Sequence, residues 1–318
     1  MDEIIISHQS ALIFWRSFAG RVSALKKPRR TSACEERCAL TSALFAELES
    51  LGFHPSSKTP LDLLFANRNA RVFHSAIRPH ITSSALPPNS FLRLSEHVLI
   101  VCPELCLIQV ANSLPIERLI LMCSEFCGTY LPLGSGTQPA ERPPLTTLPV
   151  LRMYAAKALP PRAGLPFRRA LRHAVDGAAS PMEVRVALML ALPHALGGYG
   201  LPEPVLNHSH RLSNDAYRLY PHSPCRLDIC WPKTMIAVEY DGTVHERPAQ
   251  HARDVARLNA LALDGYAVTV ITYAQVQDPA AFDAIARRIA ARMGQRLQIR
   301  ADNYPARQRR LRREFDLL

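Results

Sequence analysis

Arg226-Leu-Asp-Ile-Cys-Trp-Pro-Lys-Thr-Met-Ile-Ala-Val-Glu-Tyr-Asp-Gly-Thr-Val-His245 is the stretch whose reading decides the fold. It reads as two short β-strands joined by a turn at Trp231-Pro232-Lys233. Asp228 falls in the first strand, Glu239 and Asp241 in the second. Residues two apart on a strand share a face, so Glu239 and Asp241 project together while Val238 and Tyr240 face the other way. Hairpin pairing then brings Asp228 up beside them. Carboxylates gathered this way repel one another, and burying them is costly unless a cation neutralises them. Oxygen-only ligands suit a hard divalent ion, Mg²⁺ or Mn²⁺. The alternative is a set of solvated acids at strand ends. Ile236 and Val238 argue against it, because they make the second strand apolar rather than a wet edge.

Working outward, Ser180-Pro181 opens a helix with serine as N-cap and proline in the first turn. Glu183 stands three residues after the serine, which is the capping-box spacing. Val184 to Leu196 continues as an apolar run that packs this helix on the sheet, and Gly197-Gly198 breaks it. An extended segment through Val205-Leu-Asn207 and a loose loop over 208–224 precede the acidic hairpin. After it, residues 249–263 read as a helix with Arg253 and Arg257 one turn apart, placed to hold a phosphate or to pair with the carboxylates. Gly265 ends that helix and Tyr266-Ala-Val-Thr-Val-Ile-Thr272 reads as a buried strand. Strand, helix, strand implies a parallel pair within a mixed sheet. A last helix covers about 279–294.

Asp228, Glu239-Tyr-Asp241-Gly242 and His245 together resemble the Vsr-like endonuclease branch of the PD-(D/E)XK nuclease superfamily, the branch of very-short-patch mismatch repair endonucleases. Ser180-Pro-Met-Glu183, Leu201-Pro-Glu-Pro-Val-Leu-Asn207, Arg253-Asp254 and Gly265 to Thr272 extend the resemblance over about residues 176–295. It implies a restriction-endonuclease-like mixed sheet flanked by helices. It also implies metal-dependent hydrolysis of DNA phosphodiester bonds, with Asp228, Glu239 and Asp241 as metal ligands and Glu183 brought to the cluster by its helix. His245 would then serve as acid or base, where the residue alone reads equally as a loop histidine. The superfamily's name calls for a lysine two residues after the second acid, and Asp241 stands there. The Vsr-like branch also lacks that lysine, so the identity of the base stays open. A zinc-binding cysteine cluster of some mismatch endonucleases is not evident.

The 318 residues, nearly half of them apolar, suffice for two domains of an α/β (α+β) chain. Residues 1–133 read as a separate, mainly helical N-terminal domain. Helices are expected from Ser7 to Arg16, over 40–51, 104–113 and 116–127, and strands at Arg71–His74 and Phe91–Leu94. Ser7-His-Gln-Ser-Ala-Leu12, Pro103-Glu-Leu-Cys106 and Cys127-Gly-Thr-Tyr130 resemble chains in which an antitoxin-like regulatory module precedes such a nuclease. No functional residue is carried over from that likeness, and His8 and His74 read as packed or exposed histidines. Residues 134–149, rich in Pro, Gly, Ser and Thr, read as a linker, 150–295 as the nuclease domain, and 296–318 as a basic tail.

A formal charge of +11 favours a polyanionic partner, here DNA. Arg309 and Arg310 in the tail are candidates for phosphate contact, or for a solvated terminus. The eight cysteines read as structural thiols, since Cys34/Cys38, Cys102/Cys106 and Cys123/Cys127 are each four apart rather than at zinc-knuckle spacing. No apolar stretch is long enough to span a bilayer and no signal peptide is visible, so a cytoplasmic location without a membrane partner is expected. The rival to an endonuclease is a non-catalytic DNA-binding regulator, of toxin–antitoxin or phage-defence type, on a nuclease scaffold. Retention of Asp228 and Glu239 speaks for the enzyme.

Overall fold

A computed structural model describes residues 3–35, 38–82, 85–132, 140–160, 163–241 and 248–318, with side chains from 252 onward in the last stretch. The chain divides into two compact units, Met1–Cys127 with Leu131–Arg172, and Gly128–Tyr130 with His173–Leu318. Both are mixed α/β structures, each built on its own mixed sheet.

The first unit combines helices with a sheet. Its core is a five-stranded sheet formed by β1 (Ile4–Ile6), β2 (Leu61–Phe65), β3 (Ile77–Ile81), β4 (Phe91–Arg93) and β5 (Val98–Val101), in the order β3-β2-β1-β5-β4. β1 runs parallel to β5 and antiparallel to β2, and β2 runs parallel to β3. The central strands β1 and β5 are Ile-Ile-Ile and Val-Leu-Ile-Val, buried throughout. Runs of three or four apolar residues show neither a strand nor a helix period, so the sequence alone does not expose them. The strand expected at Arg71–His74 lies instead at β3. Around the sheet stand α1 (His8–Ser17), α2 (Ser42–Ser50), α3 (Pro103–Val110), α4 (Ile116–Phe126), α5 (Leu148–Ala158) and α6 (Leu165–Ala170).

α5 and α6 therefore belong to the first unit, and the boundary falls after them rather than at 149–150. The described part of the expected linker, from residue 140, is packed. Arg142 is buried and donates to the Trp15 carbonyl at 2.8 Å and the Glu125 carbonyl at 3.1 Å. Leu145 and Leu148 are buried as well. The prolines here shape a strap closed by side chains, not a free tether. All eight cysteines are buried free thiols, in keeping with the packing role expected of them.

The second unit carries a four-stranded sheet, β6 (Val205–His210), β7 (Cys225–Trp231), β8 (Ile236–Asp241) and β9 (Ala267–Thr272), with strands in chain order. β6, β7 and β8 form an antiparallel meander and β9 lies parallel to β8, as the strand–helix–strand pattern predicted. α7 (Pro181–Ala191) packs on β7, and α9 (Pro248–Leu263) forms the crossover to β9. The region 208–224 is more ordered than a loose loop. β6 runs to His210, and α8 (Asn214–Leu219) follows with its first turn capped by Ser213. β9 is an edge strand with Val270 42% exposed, not a buried one. α10 (Tyr273–Gln277) and α11 (Pro279–Arg292) follow. Among the described residues no helix is long and apolar enough to cross a membrane.

Residues 296–318 are not a simple basic tail. They form α12 (Tyr304–Glu314), and Leu311 and Arg312 of the helix with Phe315 and Leu317 after it are buried in the unit. Arg312 donates to the Val276 carbonyl at 2.7 Å and lies over the Phe282 ring. Arg185 on α7 donates to the Phe315 carbonyl at 2.6 Å. Arg309 and Arg310 remain on the exposed face of α12. Because Phe315 is fully buried, Phe315→Ala is expected to cost about 3 kcal/mol in urea unfolding. Arg309→Ala, on the exposed face, should stay within roughly 0.5 kcal/mol. Equal effects of the two changes would show that α12 is not docked.

Candidate active site

The paired strands β7 and β8 set Ile229 opposite Val238, Cys230 opposite Ala237 and Trp231 opposite Ile236. Continuing that register puts Asp228 opposite Glu239. Directly opposed residues share a face with Cβ atoms about 5 Å apart. The apolar pairs thus deliver the two carboxylates to one place. Asp228 does not complete the ladder there. Its Oδ2 instead accepts the Tyr240 amide at 2.9 Å, which fixes the carboxylate across the strand boundary.

Glu239 is 9% exposed and is held by Arg257 of α9, whose Nη2 donates to Oε2 at 3.0 Å and also to the Arg226 carbonyl. The other oxygen, Oε1, is buried with no hydrogen-bond partner among the described residues. A buried carboxylate oxygen without a donor is costly, and it is the kind of atom a cation satisfies. Burial, reinforced by the charge of Asp228, pushes the Glu239 carboxyl up to about 7 against the attraction of Arg257. Burial also raises Asp228, opposed by the Tyr240 amide and by Arg257.

Glu183 joins the pair through electrostatics. Ser180 caps α7 by accepting the Glu183 amide at 3.2 Å, so the capping reading of this serine holds. The carboxylate of Glu183 turns back to accept the Ala179 amide at 2.9 Å and the Asn207 side-chain amide at 2.7 Å. It is buried, and its carboxyl is raised first by burial and then by the charge of Asp228. Asn207 also donates to the Gly177 carbonyl at 3.0 Å. It has φ +48°, a left-handed conformation that asparagine tolerates better than most residues. Asn207 is the site residue that the sequence did not single out. The available signal was an asparagine following two apolar residues of an extended segment.

The three expected metal ligands do not converge as a trio. Asp228 and Glu239 come together with Arg257, while Asp241 is half-buried at the end of β8. Among the described residues no three His, Cys, Asp or Glu side chains stand close enough to hold a metal ion. Asp241 lies two positions, or about 6.5 Å, farther along the strand than Glu239. Arg253 is exposed on α9, whereas Arg257 is half-buried, so one turn of helix separates a solvent-facing cation from a site cation. His245 lies outside the described residues.

The Glu239 shift has a definite sign for stability. Between the ordinary glutamate value of 4.5 and about 7, the folded state keeps a proton that the unfolded state has lost. Stability therefore falls as pH rises through this window and stays lower above it. In metal-free buffer Glu239→Gln is expected to be more stable than the unchanged protein at pH 8, by about 1–3 kcal/mol. The gain should fade as the pH approaches 4.5. Urea unfolding at both pH values checks this, and an equal loss at both would contradict it.

No protein-family model matches the chain, and neither the curated proteins nor the solved structures contain a match to it.

Proposed function

We propose that the second unit is a metal-dependent DNA endonuclease. The observation that carries this reading is the buried Asp228–Glu239 pair, with Glu239 Oε1 left without a donor and both carboxyls raised. A site that disfavours its own ionised carboxylates in the absence of a cation is poised to take one up. Mg²⁺ characteristically uses one or two carboxylates, completing its shell with water and substrate phosphate oxygens. Asp228 and Glu239 fit that requirement without a third protein ligand. The strand–strand–helix–strand order of β7, β8, α9 and β9 and the mixed sheet also agree with the resemblance to Vsr-like PD-(D/E)XK nucleases.

In this reading Asp228 and Glu239 would hold Mg²⁺ or Mn²⁺, which when bound would supply a water of lowered pKa and charge stabilisation at the phosphate. Glu183, steadied by Asn207, adds negative charge behind the pair. Arg257 is placed to exchange Glu239 for the phosphate as anionic charge develops. Asp241 and His245 adjoin the site in sequence and are the candidates for proton transfer. Arg253, Arg309 and Arg310 are exposed cations suited to sequence-independent phosphate contact.

Cleavage of supercoiled plasmid and of single-stranded DNA tests the proposal, with Mg²⁺, Mn²⁺ or EDTA present. Nicking is expected only with a divalent ion, and Asp228→Asn and Glu239→Gln should each reduce it by at least about 100-fold. Both variants should keep their affinity for DNA at low salt. If the unchanged protein binds DNA and cuts neither form with either ion, the regulator reading replaces this one. That reading has its own supporting observation, since Arg257 already occupies one oxygen of Glu239.

A further inference from the structure

The first unit contains a cleft of about 680 Å³, within the range of roughly 300–1,000 Å³ typical of small-molecule sites. One wall is the outer face of α1, with Ile13, Phe14, Ser17 and Phe18, and the other is the segment from Leu51 to Leu61. The apolar surface is organised rather than scattered. Phe14 stacks on Phe18 at 5.4 Å and on Phe53 at 5.7 Å between ring centres, and Ile13 stands 56% exposed beside them. A β-carbon at Gly20 would come within 2.8 Å of the Phe18 ring, so glycine there lets the ring lie against the backbone.

The charge in the cleft has one sign on its accessible surface. Lys58 and Arg78 line it and are exposed, as is His54. Asp62 also lines it but is 2% exposed and already engaged. Its carboxylate accepts from the Ser10 amide at 3.1 Å, the Ser10 hydroxyl at 3.0 Å and His80 at 2.7 Å. Arg78 reaches it only at 3.5 Å, and the Arg78 side chain keeps 55% of its surface in solvent. Asp62 thus positions the guanidinium while leaving most of it available. Lys58 is presented by a closed turn, in which the Ser56 amide donates to the Thr59 carbonyl at 3.1 Å and the two hydroxyls lie 2.7 Å apart.

We infer that this cleft binds a small aromatic carboxylate. Its ring packs on Ile13, Phe14 and Phe53, and its anionic group meets Arg78 and Lys58. Apolar walls supply affinity, and the guanidinium positioned by Asp62, with the Lys58 ammonium on the same cleft, selects for the acid over a neutral molecule of the same shape. The volume limits the occupant to a small molecule. No residue of the proposed nuclease site lines this cleft, so the inference does not depend on that reading.

Calorimetric titration of the full chain with 2-naphthoate and with 2-naphthalenemethanol tests it. Saturable 1:1 binding of naphthoate is expected, at least about tenfold tighter than the alcohol. The double change of Lys58 and Arg78 to glutamine should erase that preference while leaving the weak binding of the alcohol. Arg78 contacts the buried Asp62, so a melting curve of the double variant is recorded alongside and should show a cooperative transition retained. Ile13→Glu should weaken naphthoate binding by apolar loss and repulsion together, and Asp228→Asn should not alter it. Equal affinity for acid and alcohol, indifference to the double change, or no saturable binding of either probe would each overturn the inference.

Discussion

The antiparallel register of β7 and β8 is the constraint on which the second unit depends. Ile229 against Val238 and Trp231 against Ile236 are buried apolar pairs, and slipping either strand by one residue would move them to the opposite face of the sheet. That same register places Asp228 and Glu239 in one row. Hydrophobic burial therefore enforces a juxtaposition that electrostatics opposes. Arg257, delivered by α9, and the Tyr240 amide offset part of the cost. The unpartnered Oε1 of Glu239 marks the part that is not offset.

The first unit solves a comparable problem differently. Asp62 is buried at the start of β2, yet hydrogen bonds from His80 and Ser10 outweigh its burial and hold its carboxyl below the usual range. His8, at φ +47° where β1 gives way to α1, stacks on His80 at 3.5 Å and bonds to Ser7 at 2.9 Å. Burial chiefly, with His80 beside it, depresses the His8 imidazole to about 4, so this ring is neutral near neutral pH. One buried acid is satisfied by donors from its own sheet and helix. Glu239, beside Asp228, keeps one buried oxygen without a partner among the described residues, which is the physical difference between the two sites.

Legibility in the sequence followed the length and regularity of each signal. The acidic hairpin, the α7 cap at Ser180, the α9 helix and the parallel strand after Gly265 were readable, because turn residues and apolar periodicity punctuate them. β1 and β5 were not, since short all-apolar strands carry no alternation. The basic composition of 296–318 suggested a solvated terminus, yet Leu311 with Phe315 four residues on, and Leu317 after the helix, dock this segment into the unit. Composition averages over a segment, whereas packing depends on which face carries the few apolar residues. The proline-rich stretch before α5 misled in the same way, because Arg142 and Leu145 anchor it.

The sequence by itself determined that acids would fall on two adjacent strands, and that a glutamate would stand in the first turn of the preceding helix. Strand parity and capping are local rules, settled within a few residues. Only the tertiary structure decided that Asp228 and Glu239 meet while Asp241 does not join them, that Asn207 holds Glu183, and that Arg257 rather than Arg253 enters the site. Those outcomes depend on register and on how a helix lies against a sheet. Both are fixed by burial of apolar side chains far apart in the chain, and no local pattern records them.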